Sequence, residues 1–377
     1  QAADAGPRGR TMASQPGRLG GGRSSSSSNR SKVPASIANG RFKIGNKLGA
    51  GCFGEVYSGT NLETKREVAV KFEDKGVTAP QLEQEAEVLK QLGRPIRPQG
   101  VVELLHFGAE GQHYCLAMDR LGKSLEDRVR ACHGILKPLT VALVSEQVLC
   151  RIEYLHSKGI VHRDIKPENF MWGMGERQHH LYLIDFGLSK RYYDFKHSSM
   201  RSHLSLTGTA RYASISAHKG LEQSRRDDLE AIGHMLIYFL RGVLPWSGLE
   251  AKNKQEKYNK IREKKETVPL AELCKGFPAA FEVYLRYSRE LAFKDRPNYN
   301  YCRGLFREVR TELSKARGHN LQDHDFEWND SKALDPATLE PLIPLGKIQQ
   351  PDDPPENGSV VRRSLCCLCG VKGQVDD

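Results

Sequence analysis

One short stretch, His162-Arg163-Asp164-Ile165-Lys166-Pro167-Glu168-Asn169, puts a carboxylate, an ammonium and a carboxamide close together. An apolar, strand-like run at 181–184 follows, and then Asp185-Phe186-Gly187. Phosphoryl transfer needs little covalent help from a protein. It needs in-line positioning, metal ions that neutralise developing charge, and a carboxylate beside the attacking hydroxyl. Asp164 can be that carboxylate. Asn169 offers a neutral oxygen and Asp185 an ionised one to Mg²⁺, which prefers hard oxygen ligands. Lys166 could steady the phosphoryl group as it moves. Each residue alone is more often structural, but the full set in this order points to phosphoryl transfer.

Two further motifs supply what such a site lacks. Gly49-Ala50-Gly51-Cys52-Phe53-Gly54 has G-x-G-x-x-G spacing, which dinucleotide-binding folds also use. Here the last glycine leads into Glu55-Val56-Tyr57, an extended stretch rather than a helix, so bare backbone N–H groups could fold over phosphates. On its own the turn is equally an ordinary hairpin. In Val68-Ala69-Val70-Lys71, strand alternation places Ala69 and Lys71 on the face opposite the valines. A single lysine is most often a surface group. Glu85, however, shares a helical face with Leu82 and Leu89, where an unpaired carboxylate is costly. Lys71 and Glu85 therefore make a plausible ion pair that aims the ammonium at phosphate oxygens.

These residues need elements to hold them. Alternation at Phe42, Ile44 and Leu48, then at Val56, and again at Val68, Val70 and Phe72 predicts strands. Leu82, Glu85, Ala86, Leu89 and Leu92 predict a helix. From about residue 125 the texture turns helical: Val141, Val144, Val148, Ile152 and Leu155 form one face, and 227–241 reads as a buried helix. A small sheet-rich lobe followed by a larger helical lobe, with a cleft between them, is the expected plan. No apolar run is long enough to span a membrane.

Taken together, the motifs resemble the protein kinase signature across 41–330. The resemblance implies an α+β, bilobal protein kinase fold with an N-lobe of about 41–121 and a C-lobe of about 122–330. It also implies ATP and Mg²⁺ as cofactors. Residues 49–56 would cover the phosphates, Lys71 held by Glu85 would position them, Asn169 and Asp185 would hold the metal, and Asp164 would serve the substrate hydroxyl. Met118, Asp119 and Leu121 would line the adenine pocket at the hinge, where Asp119 and Arg120 stand in place of the usual Glu and an apolar residue. An Ala-Pro-Glu motif is absent. Instead Leu206-Thr207-Gly208-Thr209-Ala210-Arg211-Tyr212-Ala213-Ser214-Ile215-Ser216, Glu222-Gln223-Ser224-Arg225-Arg226-Asp227-Asp228 and Leu244-Pro245-Trp246-Ser247-Gly248 are similar to the casein kinase 1 family. The stretch 228–249 leans toward its gamma branch. That likeness implies Ser/Thr transfer to acidic or phosphate-primed protein substrates, with an anion site at Arg211, the Gly248 backbone and Lys257. Two rivals stand beside it: a catalytically weak scaffold with a kinase fold, and a small-molecule phosphotransferase. The first usually lacks the lysine or a metal ligand, and the second fits poorly with Lys166 and the peptide-site strings.

The chain of 377 residues carries a net charge of +11, of which +5 lies in 1–40 and about −2 in 331–377. The Ser/Gly-rich head and the Pro/acid-rich tail are expected to be disordered. Gln1 is no initiator, so the chain is a fragment or starts at Met12. The remaining charge concentrates at 241–265 and accompanies no base-reading motif. Phosphorylated or acidic protein is thus the expected partner, and nucleic acid is not. The nine cysteines, without a secretory leader, are expected to be reduced thiols of a cytoplasmic, monomeric protein, with the nucleus also open. Cys366, Cys367 and Cys369 lack a fourth zinc ligand. Lipidation there would give a peripheral membrane contact; an unmodified tail is the plainer alternative.

Overall fold

The computed structural model describes residues 33–51, 54–318, 321–329, 336–343, 346 and 348–353. Its N-terminal half holds strands β1 (Ser36–Ile37), β2 (Phe42–Gly51), β3 (Gly54–Asn61) and β4 (Glu67–Asp74), helix α1 (Leu82–Leu92), and strands β5 (Leu104–Glu110) and β6 (His113–Asp119). All six strands join one antiparallel sheet in the order β1-β2-β3-β4-β6-β5. The central strand β4 buries Val68, Ala69 and Val70 alike, because both of its faces are covered. Helix α1 buries Leu82, Glu85, Ala86, Val88, Leu89 and Leu92, the face the periodicity predicts with Val88 added. The Glu73 carboxylate accepts from the N–H groups of Gln81 (2.8 Å) and Leu82 (3.3 Å), so β4 itself satisfies the donors at the start of α1.

The rest is helical: α2 (Leu125–Ala131), α3 (Pro138–Ser157), α4 (Ile215–His218), α5 (Arg225–Arg241), α6 (Lys254–Thr267), α7 (Leu270–Leu273), α8 (Ala279–Glu290) and α9 (Tyr299–Arg317). Short strands β7 (Ile160–Val161), β8 (Phe170–Trp172), β9 (Leu181–Leu183) and β10 (Lys190–Arg191) pair as β8 with β9 and β7 with β10. Val141, Val144, Val148, Ile152 and Leu155 of α3 are all buried. Helix α5 starts where the Asp227 carboxylate accepts from the Ser224 N–H at 2.8 Å and stops at Gly242, whose φ of 74° suits glycine. Between those signals it is buried along most of its length, so it forms the axis of this half. No helix among the described residues is long and apolar enough to cross a membrane. The described cysteines Cys115, Cys132, Cys150, Cys274 and Cys302 are free thiols.

The described body starts before residue 41, with β1, and described residues of 336–343 and 348–353 contact it. Glu340 pairs with Arg177 at 2.6 Å and accepts from Gln99 at 2.8 Å. Asp352 takes both terminal nitrogens of the fully buried Arg225, at 2.8 and 2.7 Å, and Asp353 pairs with Arg296. Acids that look like solubilising charge in the sequence are here counter-ions for cations of the body. Residues 1–32 and 354–377, with Cys366, Cys367 and Cys369, lie outside the described residues.

Candidate active site

Register assembles the upper wall. Val56 pairs with Lys71, and Ala69 pairs with Met118, so these four side chains share one face of the sheet. Ala69, Met118 and Leu121 are buried in the apolar cluster, with Val56 packed against it. Gly49, Ala50 and Gly51 end β2, and Gly54 opens β3 at φ 143°. A Cβ at Gly54 would stand 2.0 Å from the Phe72 carbonyl oxygen, so no other residue can make this turn without moving β4. Cys52 and Phe53 lie outside the described residues.

Lys71 donates to Glu85 at 2.6 Å and to Asp185 at 2.9 Å, joining β4, α1 and the turn after β9. Burial opposes charge on Lys71, but the two carboxylates outweigh it and raise its pKa, so the ammonium is held charged. Burial likewise opposes ionisation of Asp185; Lys71 overcomes it and draws the pKa below the usual carboxylate value. Asp185 adopts the left-handed conformation, φ 66°, a strained choice for a residue other than glycine. The arrangement fixes the carboxylate where α1 and β4 meet.

Asp164 is the centre of the lower wall. Its Oδ2 accepts from Lys166 at 2.6 Å and its Oδ1 from the Thr209 hydroxyl at 2.7 Å. Asn169 donates its amide to the Asp164 carbonyl at 2.9 Å, which leaves the Asn169 amide oxygen as the ligand atom. Burial works against the Lys166 charge and Asp164 restores it, raising that pKa. The loop is held from beneath by Asp228 of α5, which is buried. It accepts from the backbone N–H groups of His162 (2.7 Å) and Arg163 (2.9 Å), and lies 2.9 Å from His156 Nε2. Burial resists ionisation of Asp228, and this set of partners lowers its pKa nonetheless.

Most residues singled out in the sequence therefore converge on one cleft. Asp119 departs in part: its carboxylate accepts from Glu103 N–H at 2.7 Å and pairs with Arg97 and Arg66, so the side chain anchors the hinge. The neighbouring Arg120 donates to the Leu121 carbonyl at 2.9 Å. Thr209 and Asp228 appeared in the sequence only as parts of longer strings. A serine or threonine beside a carboxylate, or an acid at the start of a buried helix, has too many local explanations for its role to be read.

Arg211, Gly248 and Lys257 stand on three limbs. Arg211 and Lys257 are exposed, and Gly248 sits in an exposed turn at φ 70°. The Trp246 indole N–H donates to the Arg211 carbonyl at 2.7 Å, tying the first limb to the second. Lys265 of α6, the helix of Lys257, donates to the carbonyls of Ala210 (2.9 Å) and Ala213 (2.5 Å).

The cleft suits a magnesium nucleotide. It has a turn that a Cβ would block, an apolar patch at Ala69, Met118 and Leu121, a charged lysine and two oxygen donors of the hard type Mg²⁺ prefers. Residues 42–291 match the protein kinase domain family, which is more than half of the chain, and the chain belongs to that family.

Proposed function

We propose that this member of the protein kinase family is an active Ser/Thr kinase of the casein kinase 1 type, acting on acidic or phosphate-primed proteins. The observation that carries the catalytic reading is the unbroken network Glu85–Lys71–Asp185 beside Asp164–Lys166. A scaffold has no need to keep three buried or half-buried carboxylates matched to two cations, since unpaired members would be costly and paired ones add little stability.

ATP with Mg²⁺ supplies the transferable phosphoryl group and the countercharge for it. The protein's part is positional. The glycine turn would cover the phosphates, and Lys71, fixed by Glu85, would meet their oxygens. Asn169 and Asp185 would hold the metal. Asp164, oriented by Lys166, Asn169 and Thr209, receives the hydrogen of a substrate hydroxyl. Arg211, the Gly248 N–H and Lys257 would share the oxygens of a phosphate on the substrate, by charge-assisted hydrogen bonds worth about 1.5–3 kcal/mol each.

The test is turnover of ATP-Mg²⁺ with a phosphoserine-primed peptide and its unprimed twin. Turnover in the parent and its loss in Asp185→Asn is the expected result; an inert parent protein would leave the scaffold reading ahead. Arg211→Gln with Lys257→Gln should bring the primed-to-unprimed ratio of kcat/KM toward one, and an unchanged ratio would sink the substrate reading. Action as a monomer in the cytoplasm, with the nucleus open, belongs to the same proposal. For the tail, acyl-exchange signal at Cys366, Cys367 or Cys369 would support lipidation and membrane contact.

A further inference from the structure

Among all the cations at 241–265, Lys265 stands apart: it is fully buried, although it sits in the last turn of α6, where a lysine could reach water cheaply. Its ammonium lies 5.3 Å from the Trp246 ring centroid and 3.3 Å from His218 Nε2, besides holding the Ala210 and Ala213 carbonyls. His218 itself lies 3.0 Å from the Ala210 oxygen, and Trp246 holds the Arg211 carbonyl between those two. Glu230 and His234 of α5 and Arg289 of α8 complete the titratable surroundings, with burial holding the His234 pKa well below the ordinary value.

We propose that Lys265 is the positioning residue that sets specificity for phosphorylated substrate, by locking the Arg211 segment to the helix of Lys257 and to the turn of Gly248. This rests on the substrate reading given above. The carbonyls of Ala210, Arg211 and Ala213 are fixed by two donors, Lys265 and Trp246, that are themselves in cation–π contact. The Arg211 side chain stays outside this lock. It is exposed, and its guanidinium lies 5.8 and 5.9 Å from the Tyr212 and Tyr238 ring centroids. Trp246 is two positions before Gly248, and Lys265 shares a rigid helix with Lys257. One buried ammonium and the indole it lies against therefore tie together all three limbs. A phosphate binds well only when its donors are already placed, because ordering a loop around it consumes binding energy. Lys265 touches neither ATP nor the reacting atoms, so its loss should spare the chemical step.

The decisive measurement is steady-state kinetics of the full chain on primed and unprimed peptides for the parent, Arg211→Gln, Lys265→Met and Trp246→Phe. Lys265→Met should lower the primed-to-unprimed ratio at least fivefold, through KM of the primed peptide, with kcat on the unprimed peptide and KM for ATP unchanged. Trp246→Phe keeps an aromatic face for Lys265 but loses the N–H to Arg211, and should lower the ratio about two- to threefold; it decides the matter if Lys265→Met does not fold. A ratio that Arg211→Gln abolishes but neither of these two variants alters would overturn the role of Lys265 alone. Equal losses on both peptides would also overturn it, since that is what general destabilisation produces. A parent without any preference would remove the substrate reading, and this inference with it.

Discussion

The cleft and the limbs proposed to recognise phosphate both depend on cations, yet they present them in opposite ways. Lys71 is largely buried and already paired with Glu85 and Asp185. Arg211 and Lys257 are exposed, while Lys265 is buried and holds the carbonyls of Ala210 and Ala213 on either side of the Arg211–Tyr212 pair. The difference follows from what each must meet. A lysine that serves a bound nucleotide must be charged and aimed before the nucleotide arrives, and buried carboxylates do both. A site for a substrate's phosphate must be electropositive to solvent, so its cations cannot be neutralised and rigidity has to come from the main chain.

That contrast can be broken by removing one cation from each region. Lys71→Met should reduce kcat about a hundredfold or more on every peptide, the order of loss expected for a preorganised charge acting on the transferring group. Lys257→Gln should change only the KM of primed peptide, by about tenfold or less, the worth of one hydrogen bond to a charged group. Similar losses on primed and unprimed peptide in the second variant would erase the distinction.

Next in size is an effect away from both regions. Asp352→Asn leaves the buried Arg225 guanidinium without its carboxylate and should cost about 2–3 kcal/mol in urea unfolding. A cost near zero would mean that the Asp352–Arg225 pair does not tie its segment to the folded body.

The smallest effect concerns pH. Burial drives the pKa of Lys265 down to about 7, against the attraction of Glu230 and with Arg289 adding to the fall. An ordinary lysine in the unfolded chain titrates near about 10.4. Between those values the unfolded chain binds more protons at this residue, so its contribution to stability improves as pH rises. The parent Tm should therefore gain at least about 2 °C on that of Lys265→Met between pH 7 and pH 10. Parallel Tm curves for the two proteins would contradict the buried, protonatable state of Lys265.

Much of the cleft was legible in the sequence, for reasons that are local. Asp164, Lys166 and Asn169 sit within one loop, and chain connectivity alone keeps them near each other. The sheet register of Ala69 and Lys71 follows from a period of two, and the buried face of Glu85 from a period of 3.6. The partners of those residues were harder. Thr209 reaches Asp164, and Asp228 reaches His162 and Arg163, across long stretches of chain that no spacing rule bridges. The same distance hides the partners of the acids after residue 330. Asp352 reads as tail charge because nothing near it in sequence needs a counter-ion, whereas Arg225, far away, does.

The sequence by itself determined the chemistry on offer and the elements that carry it: a glycine turn between strands, a lysine on a half-buried strand, a carboxylate-bearing loop and a long apolar helix. These are fixed by short-range sterics and by the period of the apolar residues. Only the tertiary structure decided which charges are buried and what answers them. Lys257 and Lys265 lie on the same helix in the same basic run, and the first becomes a solvent-facing cation while the second is fully buried. That outcome depends on whether Trp246, Ala210 and Ala213 arrive from elsewhere to meet the ammonium, since burying a charge is tolerable only where its partners are already in place.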